Sequence, residues 1–171
     1  WALKKSPSVK KIYCAPGNAG IAEMAECVPI DEMNFAELAR FSIDNRIDLV
    51  VVGPEDPLFH GAVDYFESRN IPAFGPRKDA AIIEGSKVFT KNLLKKYNIP
   101  TAAYETFNRY EDALAYVRKQ GVPIVIKADG LAAGKGVTVA RTMEQAEQAL
   151  KDIMVDKVFG EAGSSVVIEE F

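Results

Sequence analysis

Through residues 10–98 short apolar runs alternate with segments of helical period. Lys11-Ile12-Tyr13-Cys14-Ala15 reads as a strand, broken by Pro16-Gly17-Asn18-Ala19-Gly20, a loop by composition. Phe35, Leu38, Ala39 and Ile43 recur on one face of a helix predicted over 34–46. Leu49-Val50-Val51-Val52 is a continuous aliphatic run, the pattern of a strand covered on both faces of a parallel sheet. Pro57 opens a further helix, with Ala62, Val63 and Phe66 on its buried side and Asn70 near its end; Pro72-Ala73-Phe74-Gly75 is the next strand. Strand and helix alternating at this spacing predict an α/β domain built on a doubly wound parallel sheet.

The pattern changes after Gly75-Pro76. Two helices, roughly 77–84 and 86–97, follow with no strand between them, and Asn98-Ile99-Pro100 breaks the second. Beyond it come an extended segment (101–107), a helix (110–119), two strands (123–128 and 137–140) around a glycine-rich turn, and a final strand (165–171). Thr142-Met143-Glu144-Gln145 has the form of a capping box opening a helix over about 142–154. The order suggests a first domain over 1–76, a helical linker over 77–99 and a small α+β unit over 100–171. Trp1 to Lys5 reads as the tail of a helix stopped by Ser6-Pro7, and the last strand runs to Phe171 with no turn after it. Both ends therefore read as interrupted elements, and truncation on both sides is the expectation.

Composition narrows the function classes. With 21 Lys+Arg against 24 Asp+Glu the 171-residue chain carries a net charge of −3, so it has no basic excess with which to coat nucleic acid. No apolar run approaches the ~20 residues that span a bilayer, which argues against a membrane partner. Cys14 and Cys27 lack metal-ligand spacing and build no disulfide framework, so a cytoplasmic home is expected. His60 is the only histidine, which excludes a His-based metal cluster or a Ser/His/Asp triad. Glu55 and Asp56 are adjacent, and neighbours in sequence rarely face one site, so they do not read as an acid/base pair.

The informative stretch is 122–141. Lys127 closes an otherwise apolar strand, Ile124-Val125-Ile126-Lys127-Ala128, and desolvating that ammonium costs several kcal/mol unless an anion meets it. Asp129-Gly130-Leu131-Ala132-Ala133-Gly134-Lys135-Gly136 follows. It is not a Walker A loop: Gly130 and Gly134 have three residues between them, Lys135 is followed by Gly136, and a strand comes next. A dinucleotide fingerprint fails as well, because no helix N-terminus follows. A glycine-rich turn alone reads as a flexible connection; with Lys127 before it, it reads as a flap whose backbone N–H groups and Lys135 could wrap a phosphate. In Glu84-Gly85-Ser86-Lys87, Ser86 can cap a helix that Lys87 begins. A cation there opposes the helix dipole, which leaves Lys87 divided between an anion ligand and a cation with no special role. Lys91, Lys95 and Lys96 read as a solvated face; Asp129 could hold the flap in shape, but beside Gly130 it reads first as a turn former.

In this order the Glu-Gly-Ser-Lys helix start, the strand ending in lysine, the glycine-rich flap and the Glu169-Glu170-Phe171 strand end resemble the ATP-grasp ligases. Within them, the run Val125 to Val137 is similar to the signature of the glycinamide ribonucleotide synthetases (phosphoribosylamine–glycine ligases). Ala15-Pro16-Gly17-Asn18, Val52-Gly53-Pro54-Glu55 and Phe74-Gly75-Pro76 stand where that family has them, so the resemblance covers the whole chain. It implies a Rossmann-like, pre-ATP-grasp domain followed by a small ATP-grasp subdomain. The implied reaction joins glycine to 5-phosphoribosylamine at the expense of ATP in purine biosynthesis, with Mg2+ or Mn2+ as metal, through a glycyl phosphate. By resemblance Lys87, Lys127, Gly130, Gly134, Lys135 and Gly136 would hold ATP phosphates, and Glu169, Glu170 and Phe171 would line the adenine edge. Gly53, Pro54, Glu55 and Asn18 would meet the amino-sugar, Asn18 being equally readable as a turn residue. The family's first strand would precede Trp1, and its metal ligands would follow Phe171. The 171 residues alone are accordingly expected not to catalyse ligation, and no catalytic residue is assigned within them. Two alternatives stay open: another carboxylate–amine ligase of purine synthesis, and a non-catalytic adenylate-binding module.

Overall fold

In the computed structural model residues 1–130 and 135–171 are described. The chain divides into two compact units, residues 1–78 and 79–171.

In the first unit a 3-10 turn over Leu3–Lys5 precedes β1 (Tyr13–Cys14), α1 (Ala19–Ala22), β2 (Glu26–Cys27) and α2 (Phe35–Asp44). Then come β3 (Val50–Val51), α3 (Glu55–Phe59), α4 (Ala62–Glu67) and β4 (Ala73–Phe74). The strands pair parallel, β1 with β2 and β3 with β4, as the βαβ alternation requires. The core gathers Ala39, Ala62, Phe66 and Ile71, with Phe35, Leu38 and Tyr65 packed against it. Phe35 meets the Tyr65 and Phe66 rings at 5.8 and 6.4 Å, tilted in both cases.

Several details depart from the pattern. Ile43 is exposed, and the buried stripe of α2 continues through Ser42, whose hydroxyl donates to the Leu38 carbonyl at 2.8 Å and so enters the core satisfied. Leu49 and Val51 are exposed, so β3 is not covered on both faces. The loop 16–20 is a loop only to Asn18, which caps α1 by accepting from the Ile21 N–H at 2.9 Å. One helix expected from Pro57 is two, because Gly61 stands between them at φ 88°. Pro57 lies inside α3, within its first turn, where a proline N–H would have no partner to lose.

The second unit holds α5 (Lys78–Gly85, begun one residue earlier), α6 (Lys87–Lys96), β5 (Tyr104–Phe107), α7 (Tyr110–Gln120), β6 (Ile124–Ala128), β7 (Val137–Ala140), α8 (Met143–Leu150) and β8 (Val166–Glu170). The strands form one antiparallel sheet in the order β5-β8-β6-β7. Ile124, Ile126, Ala128, Ala140, Val166 and Ile168 point to one face and join the buried stripes of α7 (Ala113, Val117) and α8 (Ala146, Ala149, Leu150). The capping box is formed, Thr142 Oγ1 accepting from Gln145 N–H while Gln145 Oε1 accepts from Thr142 N–H. After Leu150 the helix widens into a π turn over Lys151–Val155. Strand alternation sends Val125, Lys127, Val167 and Glu169 to the opposite face, and that face carries the candidate chemistry.

Candidate functional site

Register brings the first two site residues together. Lys127 stands opposite Val167, and Val125 opposite Glu169, so Lys127 and Glu169 are diagonal neighbours on one face. Lys127 Nζ donates to Glu169 Oε2 at 2.7 Å. The anion that a lysine in an apolar strand demands is thus supplied by the chain itself. A second cation meets the same carboxylate: Lys91 Nζ lies 3.1 Å from Glu169 Oε1. Lys91 is 9% exposed, which corrects its reading as part of a solvated face. Its ammonium also donates to Thr101 Oγ1 at 2.6 Å and to the Ala102 carbonyl at 3.4 Å, and it lies 5.3 Å from the centre of the Tyr104 ring. Its signal in the sequence was the spacing Lys87 to Lys91, one helical turn, which keeps both lysines on one side of α6.

The start of α6 is met by a second carboxylate. Ser86 caps the helix, its hydroxyl accepting from Phe89 N–H at 3.0 Å. The Val88 N–H donates to Asp129 Oδ1 at 3.1 Å, and Ser86 Oγ reaches both Asp129 oxygens at 3.2 and 3.3 Å. Gly130 N–H and Ser165 Oγ complete the set at 3.0 and 3.2 Å. Asp129, set aside from the sequence as a turn former, is the residue that ties the flap root to a helix N-terminus and to the start of β8. An anion at that N-terminus offsets the dipole penalty of Lys87. Lys87 Nζ in turn donates to the Gly130 carbonyl at 2.8 Å. Gly130 adopts φ 92°, and a Cβ there would come 3.2 Å from Ala162 Cβ.

At the far side of the flap the Gly136 carbonyl accepts from Ala128 N–H at 2.8 Å, closing the β6–β7 pair, and Lys135 is exposed. Gly134, with residues 131–133, lies outside the described residues. Glu170 turns its carboxylate to the backbone of the edge strand, accepting from Ala103 N–H at 2.8 Å. Phe171 is exposed, with the Arg141 guanidinium 5.4 Å from its ring centre.

The four residues proposed for an amino-sugar divide. A cavity of about 290 Å³ in the first unit is lined by Cys14, Ala15, Asn18, Glu32, Val52 and Pro54 among others. Gly53 and Glu55 are not among its lining residues. Glu55 sits in the first turn of α3, where a carboxylate suits the dipole, and is exposed. Asn18 holds both roles, capping α1 and lining the cavity. Glu32 was missed, and no motif in the sequence marked it. His60 is exposed and caps the C-terminus of α3, with its Nδ1 2.9 Å from the Asp56 carbonyl, to which it donates in the Nδ1–H form. Among the described residues no group of three or more His, Cys, Asp or Glu side chains comes together that could hold a metal ion. No described helix is long and apolar enough to cross a membrane.

The chain is similar in sequence and fold to known proteins. Residues 1–84 match the N domain of phosphoribosylglycinamide synthetase, and residues 85–171 match its ATP-grasp (A) domain. The chain is 55% identical over 173 aligned residues to a phosphoribosylamine–glycine ligase of Pseudomonas putida and 52% identical over 171 to one of Halalkalibacterium halodurans. In each case the match covers 100% of this chain and 40% of the relative, so the chain spans well under half the length of these curated relatives. The crystal structure of phosphoribosylamine–glycine ligase from Thermotoga maritima superposes with a TM-score of 0.76 at 30% identity, covering 100% of this chain and 40% of that one.

Proposed function

Because the chain belongs to the phosphoribosylglycinamide synthetase family, we propose that it supplies the N domain and the flap-bearing part of a ligase that joins glycine to 5-phosphoribosylamine. ATP phosphorylates the glycine carboxylate, and the amine attacks the resulting glycyl phosphate to give glycinamide ribonucleotide, ADP and phosphate. One observation supports the placement of ATP above all others: a partly buried, surplus-positive cluster, in which Lys91 and Lys127 share the single carboxylate of Glu169, on the sheet face at the root of a glycine-rich turn. In this reading Lys87 and Lys127 neutralise the transferring phosphoryl group, while Gly130, Gly134, Lys135 and Gly136 close over it and exclude water. Glu169, Glu170 and Phe171 border the adenine, whose exocyclic amine a backbone carbonyl of β8 can accept. Asn18 and Pro54 face the amino-sugar through the cavity of the first unit, with Gly53 and Glu55 at its approach.

A divalent metal, Mg2+ or Mn2+, supplies charge neutralisation when bound. Among the described residues no group of three or more His, Cys, Asp or Glu side chains forms a ligand set for it. The test is ADP release by the full-length natural chain with ATP, glycine and 5-phosphoribosylamine. Turnover dependent on both co-substrates supports the proposal. Turnover with formate or bicarbonate in place of glycine would overturn it.

A further inference from the structure

Two ammonium groups on one buried carboxylate is a costly arrangement for a fold that needs only an ion pair. One lysine would satisfy Glu169, and the second adds repulsion between cations in a poorly solvated place. The two lysines are not equivalent. An ammonium has three donors, and Lys91 spends all three, on Glu169 Oε1, Thr101 Oγ1 and the Ala102 carbonyl. Lys127 spends one, on Glu169 Oε2, and among the described residues its other two have no acceptor. Lys91 is also the more enclosed, its side chain 11% exposed against 25% for Lys127.

We propose that Lys91 is a positioning residue that acts on Lys127 through Glu169. By holding one oxygen of the carboxylate, Lys91 keeps Glu169 from neutralising Lys127 fully, so that Lys127 retains charge and two aimed donors for an anionic phosphate. Glu169 fixes where the Lys127 ammonium sits, and Lys91 sets how much of its charge is left over. The inference rests on the reading of Lys127 as an ATP-phosphate ligand, and its test separates the two.

The experiment measures ATP affinity and the KM values for ATP and glycine on the full-length natural chain and on K127M, K91M, K91R, E169Q and the double variant K91M/E169Q. K127M is expected to weaken ATP about tenfold or more, as loss of a charge-assisted contact does. K91M is expected to raise KM for ATP about tenfold with KM for glycine unchanged, because Glu169 then pairs with Lys127 alone. K91R restores ATP binding, since a guanidinium can hold the same oxygen. In the double variant the K91M substitution adds at most about threefold to the effect of E169Q alone, because with the carboxylate charge gone Lys91 has nothing left to hold away from Lys127. A structural role for Lys91 predicts the reverse, two defects that add. Should K91M fail to fold, K91Q takes its place: it removes the charge that holds Glu169 Oε1 and is expected to raise KM for ATP severalfold with KM for glycine unchanged, and an unchanged KM for ATP overturns the proposal. Wild-type ATP affinity in K91M alongside a weak K127M overturns the inference and leaves the site reading standing. Wild-type affinity in K127M overturns the site reading itself.

Discussion

Asp129→Ala removes the acceptor on which three chain segments converge. The Val88 and Gly130 N–H groups lose a carboxylate oxygen at 3.1 and 3.0 Å, and the Ser86 and Ser165 hydroxyls lose theirs at 3.2 Å. The hydroxyls can rotate to water, but the two backbone donors are part-buried and fixed in direction. An orphaned buried donor costs ~1–3 kcal/mol, and part-burial puts each near the low end. Loss of a carboxylate at a helix N-terminus adds ~0.5 kcal/mol. The sum is about 2.5 kcal/mol, equivalent to a fall of about 1.2 M in the urea midpoint at a slope of about 2 kcal/mol/M. Asp129→Asn should cost about 1 kcal/mol. Its amide oxygen can replace Oδ1, which accepts both backbone N–H groups, and its NH2 faces hydroxyls that can accept. The assay is urea unfolding followed by far-UV circular dichroism, with hydrogen exchange over residues 86–90 as the local readout. An alanine variant as stable as the asparagine variant, with unchanged exchange at Val88, would refute the hub.

Gly163→Ala drives a Cβ into the Ile153 carbonyl oxygen, a backbone atom that cannot swing aside, and should cost about 1–3 kcal/mol; an unchanged urea midpoint would contradict the packing. Thr142→Ala breaks the capping box and should lower stability by about 1 kcal/mol, whereas Thr142→Ser keeps the hydroxyl and most of that energy, which thermal melts can separate. Burial, with Cys27 adding a smaller push, raises the Cys14 thiol above its ordinary value of 9.0. Because the folded form holds this proton more tightly, its contribution to stability is complete below 9.0 and is lost as pH rises through the raised folded value. Alkylation of Cys14 should therefore show its pH inflection above 9.0, and one at or below that value counts against the burial.

Hydrophobic pattern located much of the second unit, because β6 buries one set of alternate positions against α7 and α8; β8, buried on both faces, carries no such alternation. Ile124, Ile126 and Ala128 alternate with Val125 and Lys127, and the capping box marked the start of α8 to the residue. The first unit was read less well, for identifiable reasons. Its strands are two residues long, too short to carry a period, so β2 went unnoticed in Glu26-Cys27. The aliphatic run 49–52 reads as doubly covered, yet Leu49 and Val51 are exposed, since an unbroken apolar run reports tolerance of burial on either face without showing that both faces are packed. Pro57 was read as a helix start because proline is commonest at the first helical position, but it stands third in α3, still in the first turn, where its missing N–H has no intrahelical partner to lose.

At the site, the residues found from sequence are those that could touch a ligand, and the residues missed are those that act on them. Lys127 was conspicuous as a charge in an apolar strand, and Lys87 as a cation where the dipole disfavours one. Asp129 and Lys91 were each given the bland interpretation of their type, a turn former and a surface lysine, because local sequence holds no trace of partners 41 and 78 residues away. Yet the physical demand was visible. A lysine in a buried strand requires an anion, and a cation in a helix's first turn requires compensation, so each anomaly called for an unseen carboxylate. The fold answers with Glu169 for the first and Asp129 for the second, both on or beside the strands that flank the flap. An anomaly of charge in a sequence is therefore best read as half of a pair. Where the pair is over-supplied with cations, as at Glu169, the surplus marks where a further anion belongs.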